Sequence, residues 1–249
     1  MFNIDIGWAS WSKSIERSHW REVVQDKPEK LIAQKLVEGD IKHCPAFAAF
    51  YKNTFAIKIP FDLSLCYQAD KVRISPHTNL QLNDIDVEDI IQIIDTDNSV
   101  TIQIMLNNTF VSDTPYVEVE TLPPSLHGLH EEIRYMNGRF DCHAWQRPLQ
   151  FGFQIPKETL DSMKQSEDNI ISFKKDDVVM YVRFNTPKKQ SVKLYTMDAD
   201  DVENLTKHVN RNMTLPFMIR NFNFAEVIDR VRYRRPKKFL RNKKYDKEK

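Results

Sequence analysis

From His43 to Thr196 the chain runs as short stretches rich in β-branched and aromatic residues, each closed by a turn signal before a helix could form. Thr54 to Ile59 is stopped by Pro60. Leu63 to Tyr67, Lys71 to Ser75 and Thr78 to Leu82 alternate in polarity and are parted by Gln68-Ala69-Asp70 and Ser75-Pro76-His77. Val100 to Leu106 alternates and then becomes fully apolar, as a central strand does, whereas Tyr116 to Glu120 alternates cleanly and keeps one face wet. Arg139 to Trp145, Leu149 to Ile155, Ile170 to Phe173, Val178 to Phe184 and Val192 to Thr196 continue the pattern. About ten strands with no helix between most neighbours predict a mainly β (α+β) chain. The expected form is an antiparallel β sandwich, jelly-roll-like, rather than alternating βαβ units.

Both ends read as helical. Ser12 or Ser14 caps a helix running to about Val24, and Pro28, after Asp26, opens a second that ends before Gly39. Near the other end Asp198 or Asp200 caps a helix with Val202, Leu205, Val209 and Met213 on one face. A last helix uses Phe224, Val227, Ile228 and Val231 before Pro236. The expected organisation is therefore a helical segment 1–40 packed on the core, a β-sandwich core 41–197, C-terminal helices 198–231 and a tail 232–249. At 249 residues such a chain buries a sizeable core without disulfides or metal staples.

Several function classes are disfavoured. None of the five glycines forms the Gly-rich arrangement of a nucleotide cradle. Cys44, Cys66 and Cys142 are odd in number and include no C-x-x-C pair, so buried thiols are expected rather than a zinc ribbon or a redox pair. His43 and Cys44 are sequence neighbours on a segment that Pro45 biases to be extended, a poor geometry for a Cys–His nucleophile. No apolar run approaches the roughly 20 residues that cross a bilayer, and Met1 to Trp20 reads as neither a signal peptide nor a transit sequence. The expected location is the cytoplasm, or a particle assembled there, with no membrane partner.

Charge supplies the strongest functional signal. Residues 230–249 hold eleven Lys or Arg against Asp246 and Glu248, a charge of +9, which leaves residues 1–229 at −8 within the total of +1. Within the tail, Arg232, Arg234, Arg235, Lys237, Lys238, Arg241, Lys243 and Lys244 interleave with Tyr233, Phe239 and Leu240, as segments that meet nucleic acid or acidic protein surfaces do. A solvated terminus with no specific partner is the bland reading, although such a tail has no need of Phe239-Leu240. Three of the four tryptophans, Trp8, Trp11 and Trp20, lie near the start; they either close the end of the core or anchor a partner, since tryptophan is a frequent interface hot spot.

His127, His130 and Glu132 sit in a loop between strands, and His143 lies on the strand that follows. A set of histidines and a carboxylate on a jelly roll is one way to hold Fe(II) or Zn with positions open for substrate. Against it stands the composition of the loop, whose prolines and Gly128 also suit a plain solvated turn carrying chance histidines.

His43-Cys44-Pro45-Ala46-Phe47, then Tyr51 to Phe55 and Pro60-Phe61-Asp62-Leu63, with Phe110 to Pro115 and Phe140 to Pro156 later, carry a resemblance. Over about residues 43–156 the chain resembles a family of uncharacterised, β-rich proteins of marine bacteriophages and some bacteria, in which a C-P-A element leads into a strand closed by a Pro-x-Asp turn. The resemblance implies a shared β-rich fold and no activity that transfers to any residue. The leading expectation is a non-enzymatic, phage-type protein, a virion component or accessory factor, whose basic tail contacts an acidic partner and which could form oligomers. A jelly-roll metal enzyme and a nucleic-acid-binding module are the alternatives.

Overall fold

The computed structural model describes residues 3–13, 20–22, 26–68, 71–75, 90–112, 114–142, 148–163, 171–187 and 190–197. The expected strand 78–82, the helices 198–231, the tail 232–249 and His143 lie outside the described residues.

The described chain is mainly β, in three sheets. The largest is organised by β8 (Ser99–Ser112), fourteen residues long. β12 (Pro148–Pro156) pairs antiparallel with β8 from Ser99 to Thr109, while β7 (Ile91–Asp95) pairs with its first half and β1 (Ile4–Lys13) with its last five residues. β10 (Arg134–Tyr135) extends the sheet beyond β12, and β2 (Trp20–Glu22) pairs with β1. On its other side β1 runs parallel to β15 (Val192–Thr196), Ile4 opposite Val192 and Trp8 opposite Thr196, which ties the two ends of the described chain together.

The second sheet has the order β11 (Arg139–Asp141), β9 (Glu118–Leu122), β14 (Val178–Asn185), β4 (Thr54–Lys58) and β3 (Glu29–Lys30). The third joins β13 (Ile171–Phe173), β5 (Leu63–Gln68) and β6 (Lys71–Ile74). One apolar cluster draws on all three sheets, with Ile6, Ile57, Leu65, Ile102, Phe110, Phe153 and Val182 each at most 1% exposed. Period-2 alternation puts Phe55, Ile57, Val182 and Phe184 into this cluster. Their neighbours Ala56 and Tyr181 go to the opposite face of the same sheet, where Leu31 and Ala33 cover them. The second sheet is thus buried on both sides around β14.

The N-terminal helices of the sequence reading are corrected. Of the helix expected from residue 12 to about 24, residues 12–13 and 20–22 lie instead in the β1–β2 strand pair, and the rest lies outside the described residues. Ile4, Ile6 and Trp8 repeat with period 2 and all enter the core, and that period decides for strand. In place of a helix after Pro28 come β3 and two 3-10 turns, η1 (Ala33–Lys35) and η2 (Gly39–His43). The edge of β4 takes the backbone instead, Glu29 opposite Ala56, and the Leu31 N–H donates to the Thr54 carbonyl. Leu31 and Ala33 are buried while Ile32 between them is exposed, again a period of 2. Residue 40 is therefore no boundary between a helical segment and a β core, because β1 lies inside the largest sheet.

Two short α-helices complete the described chain. α1 (Pro45–Phe50) follows an extended Cys44 with proline in its first turn, and α2 (Lys157–Met163) continues from Pro156 and buries Leu160. Among the described residues no helix is long and apolar enough to cross a membrane.

Candidate functional site

The outer face of the second sheet gathers the most chemistry-bearing side chains. β14 presents Tyr181 and Arg183 there at period 2, β9 presents Glu120, and the 123–130 loop lies over them. Gly128 ends the turn that carries His127 at φ +93°, a backbone conformation that disfavours any residue with a Cβ.

The Tyr181 hydroxyl is the pin of this face. It lies 2.6 Å from His127 Nδ1 and accepts the Leu126 N–H at 3.1 Å. Burial, with the nearby Tyr51 phenol adding to it, pushes the Tyr181 pKa up to about 12 against the lowering effect of the Leu126 bond. The phenol therefore keeps its proton. Loss of water around the His127 ring, and then the charge of Lys58, hold that imidazole below the usual histidine range. A neutral ring and a protonated phenol share one hydrogen bond there, its direction set by which ring nitrogen carries the proton. Tyr51, at the end of α1, fixes the same loop through a 3.2 Å contact between its hydroxyl and Ser125 Oγ.

Beside this pin, Arg183 grips Glu120 through Nη2 at 2.6 Å and Nε at 3.2 Å, and Asn185 Nδ2 adds a third donor at 3.2 Å. Burial alone would raise the Glu120 pKa. The hydrogen bonds from Arg183 and Asn185, with the charges of Arg183 and Arg139, outweigh it and hold the carboxyl below the usual range. The guanidinium of Arg183 also lies 4.2 Å from the centre of the Phe50 ring.

These groups are engaged in holding loop and helix to sheet. His127 spends Nδ1 on Tyr181. His130 stacks edge-on to Phe173, ring centres 4.6 Å apart. Glu132 joins neither contact, and His143 lies outside the described residues. Among the described residues no three His, Cys, Asp or Glu side chains converge as a metal-holding group.

Trp8 is placed in the core, 4% exposed, with Nε1 donating to Asn108 Oδ1 at 2.8 Å. It is not available as a surface anchor, which corrects that reading for this residue: the strand period turns it inward. Trp11 and Trp20 stand opposite Glu22 and Lys13 in the β1–β2 pair, and their side chains lie outside what is described. Cys142 is fully buried, its Sγ donates to the Val117 carbonyl, and burial with the nearby Asp141 charge pushes the thiol well up, so it packs as a small apolar group.

Sequence reasoning missed the Tyr181–His127 and Glu120–Arg183 pairs. The available signal was outward-facing Tyr181 and Arg183 at period 2 on an otherwise apolar strand; nothing in the order of residues said which loop would meet them. No protein-family model, curated protein or solved structure matches the chain.

Proposed function

We propose that the protein works by binding: a layered β body, a sandwich of jelly-roll character, carries a basic C-terminal segment that engages an acidic macromolecular partner. The observation that carries this reading is the charge split, +9 in residues 230–249 against −8 in the remainder. A segment of this density gains free energy by releasing the counterions of a polyanion. The acidic body disfavours spreading over the same partner, so contact is confined to the tail. Support also comes from the described body, where Glu120, His127, Tyr181 and Cys142 are each committed to a structural contact. The resemblance to phage-type proteins fits a virion component or an accessory factor in the host cytoplasm.

The test replaces Arg232, Arg234, Arg235, Lys237, Lys238, Arg241, Lys243 and Lys244 by Gln in the full chain. Retention of both proteins is then measured on duplex DNA and on polyglutamate. The native chain is expected to be retained on at least one, the variant on neither, with the same melting temperature for both. Equal retention of the two proteins would refute the proposal. Retention of the native chain on DNA alone identifies nucleic acid as the partner class.

A further inference from the structure

One stretch of chain lies over the outer face of the second sheet without being buried in it. Its two ends are fixed. Leu31 and Ala33 are buried, and the Leu31 N–H donates to the Thr54 carbonyl. At the far end Asn53 is buried; its Nδ2 donates to the Gln190 carbonyl at 2.7 Å and its Oδ1 accepts the Val192 N–H at 3.2 Å. Between these anchors not one of residues 34–52 is buried, although they include all of η2 and α1. Few contacts hold them down. Phe47 and Tyr51 pack on Leu31, Ala33 and Tyr181, the Tyr51 hydroxyl meets Ser125 Oγ, and the Phe50 ring meets the Arg183 guanidinium. Gly39, at φ +70° and with open space where a Cβ would stand, forms the turn between η1 and η2. Sparse burial between firm anchors is the signature of a segment that opens locally.

The closed arrangement also penalises a group beneath it. Thr54 stands opposite Arg183 in the β4–β14 pair, and the period of 2 that sends Phe55 and Ile57 into the core turns Thr54 outward with Ala56. The Thr54 N–H donates to the Tyr51 carbonyl, which sets the end of the stretch against this residue. Thr54 is fully buried, and its Oγ1 meets no hydrogen-bond partner among the described residues. A buried hydroxyl without a partner is disfavoured against a hydrated one, so closure over Thr54 is opposed and opening relieves it. We propose that residues 34–52 form a lid, hinged at Ala33 and Asn53, that lifts off the outer face of the second sheet while the sheet stays folded. Opening bares Thr54 and the side of Tyr181 on which Phe47 and Tyr51 pack, and so makes part of the Tyr181–Arg183 face reachable in the native protein. The lid is separate from the tail and does not depend on it.

Hydrogen exchange of the full chain, read by mass spectrometry of its peptides at several urea concentrations below the unfolding transition, provides the test. The amides bonded within the lid, those of Cys44, Ala48 and Tyr51, should exchange together. Their protection should be about a hundredfold or more below that of β4 and β14, with a weaker dependence on urea. Thr54→Val removes the unpartnered hydroxyl and keeps the shape of the side chain, so lid exchange should slow about fivefold or more. Tyr51→Phe drops the tie to Ser125, and lid exchange should quicken about threefold or more. Lid protection equal to that of β4 in the native chain overturns the proposal, as does a lid with no protection at all, which has no closed state. A Thr54→Val lid that exchanges as fast as the native one, or a Tyr51→Phe lid that exchanges no faster, overturns it as well.

Discussion

Tyr181→Phe removes one oxygen and leaves the ring, so it isolates what the pin contributes. The ring keeps its packing against Tyr51, Leu31, Ala33 and Ala56. Two hydrogen bonds disappear, one from the Leu126 N–H and one shared with His127 Nδ1. Each such bond is worth about 1 kcal/mol net, and the part-buried Leu126 N–H, left without its acceptor, keeps the sum near about 2 kcal/mol. For a domain of this size that lowers Tm by about 4–8 °C. His127→Ala should cost less, about 1 kcal/mol, because His127 is exposed and water can reach the phenol that it leaves. The variants also differ in pH response. His127 in the folded protein lies below its ordinary value, so unfolding takes up a proton. The stabilisation from its neutral form is complete above about pH 6.5 and is lost as the pH falls through the lower folded value. Urea titrations of the three proteins between pH 5 and 8 provide the assay. Native stability should fall on the acid side, and the His127→Ala curve should be flatter. A Tyr181→Phe loss below about 0.5 kcal/mol, or one smaller than that of His127→Ala, would refute the pin.

Other consequences follow from the same contacts. Glu120→Gln weakens three hydrogen bonds to a charged acceptor and should cost about 2 kcal/mol by denaturant titration at pH 7. Because the Glu120 pKa is depressed, its stabilisation is present above about pH 4.3 and lost as the pH falls through its folded value, so the variant should show less loss in acid than the native protein. A chromogenic disulfide reagent should titrate Cys44 and Cys66 in the native protein and reach Cys142 only on unfolding, a result that mass spectrometry of the labelled sites can read. Trp8→Phe leaves a gap in the core and strips Asn108 of its donor, with an expected loss of about 3 kcal/mol by the same titration.

The middle of the chain was legible because its signals are local. Val192 to Thr196 reads as a strand from alternation alone and is one, and Leu149 to Ile155 falls inside β12. The failures have two physical sources. In residues 12–13, 20–22 and 29–33 cap residues and proline suggested helices, but β1 paired with β2 and the open edge of β4 captured the backbone, and a tertiary partner outweighs a cap worth about 1 kcal/mol. Pairing order is the second source. The parallel match of β1 with β15 joins residues nearly 190 positions apart, and no spacing in the sequence encodes it. The same holds for the site. Tyr181 and His127 are 54 residues apart, and both became meaningful only when the 123–130 loop folded over β14. The tail is the opposite case, a signal written wholly in composition.

The salt dependence of binding bears most directly on the claim that the tail engages an acidic partner. If eight tail cations meet phosphates on duplex DNA, log K should fall with log salt at a slope of about −7. The account predicts a steep negative slope, on DNA or in the same sense on polyglutamate, that collapses when the eight residues become Gln. Affinity indifferent to salt on both probes, or a slope that the substitutions leave intact, would contradict it.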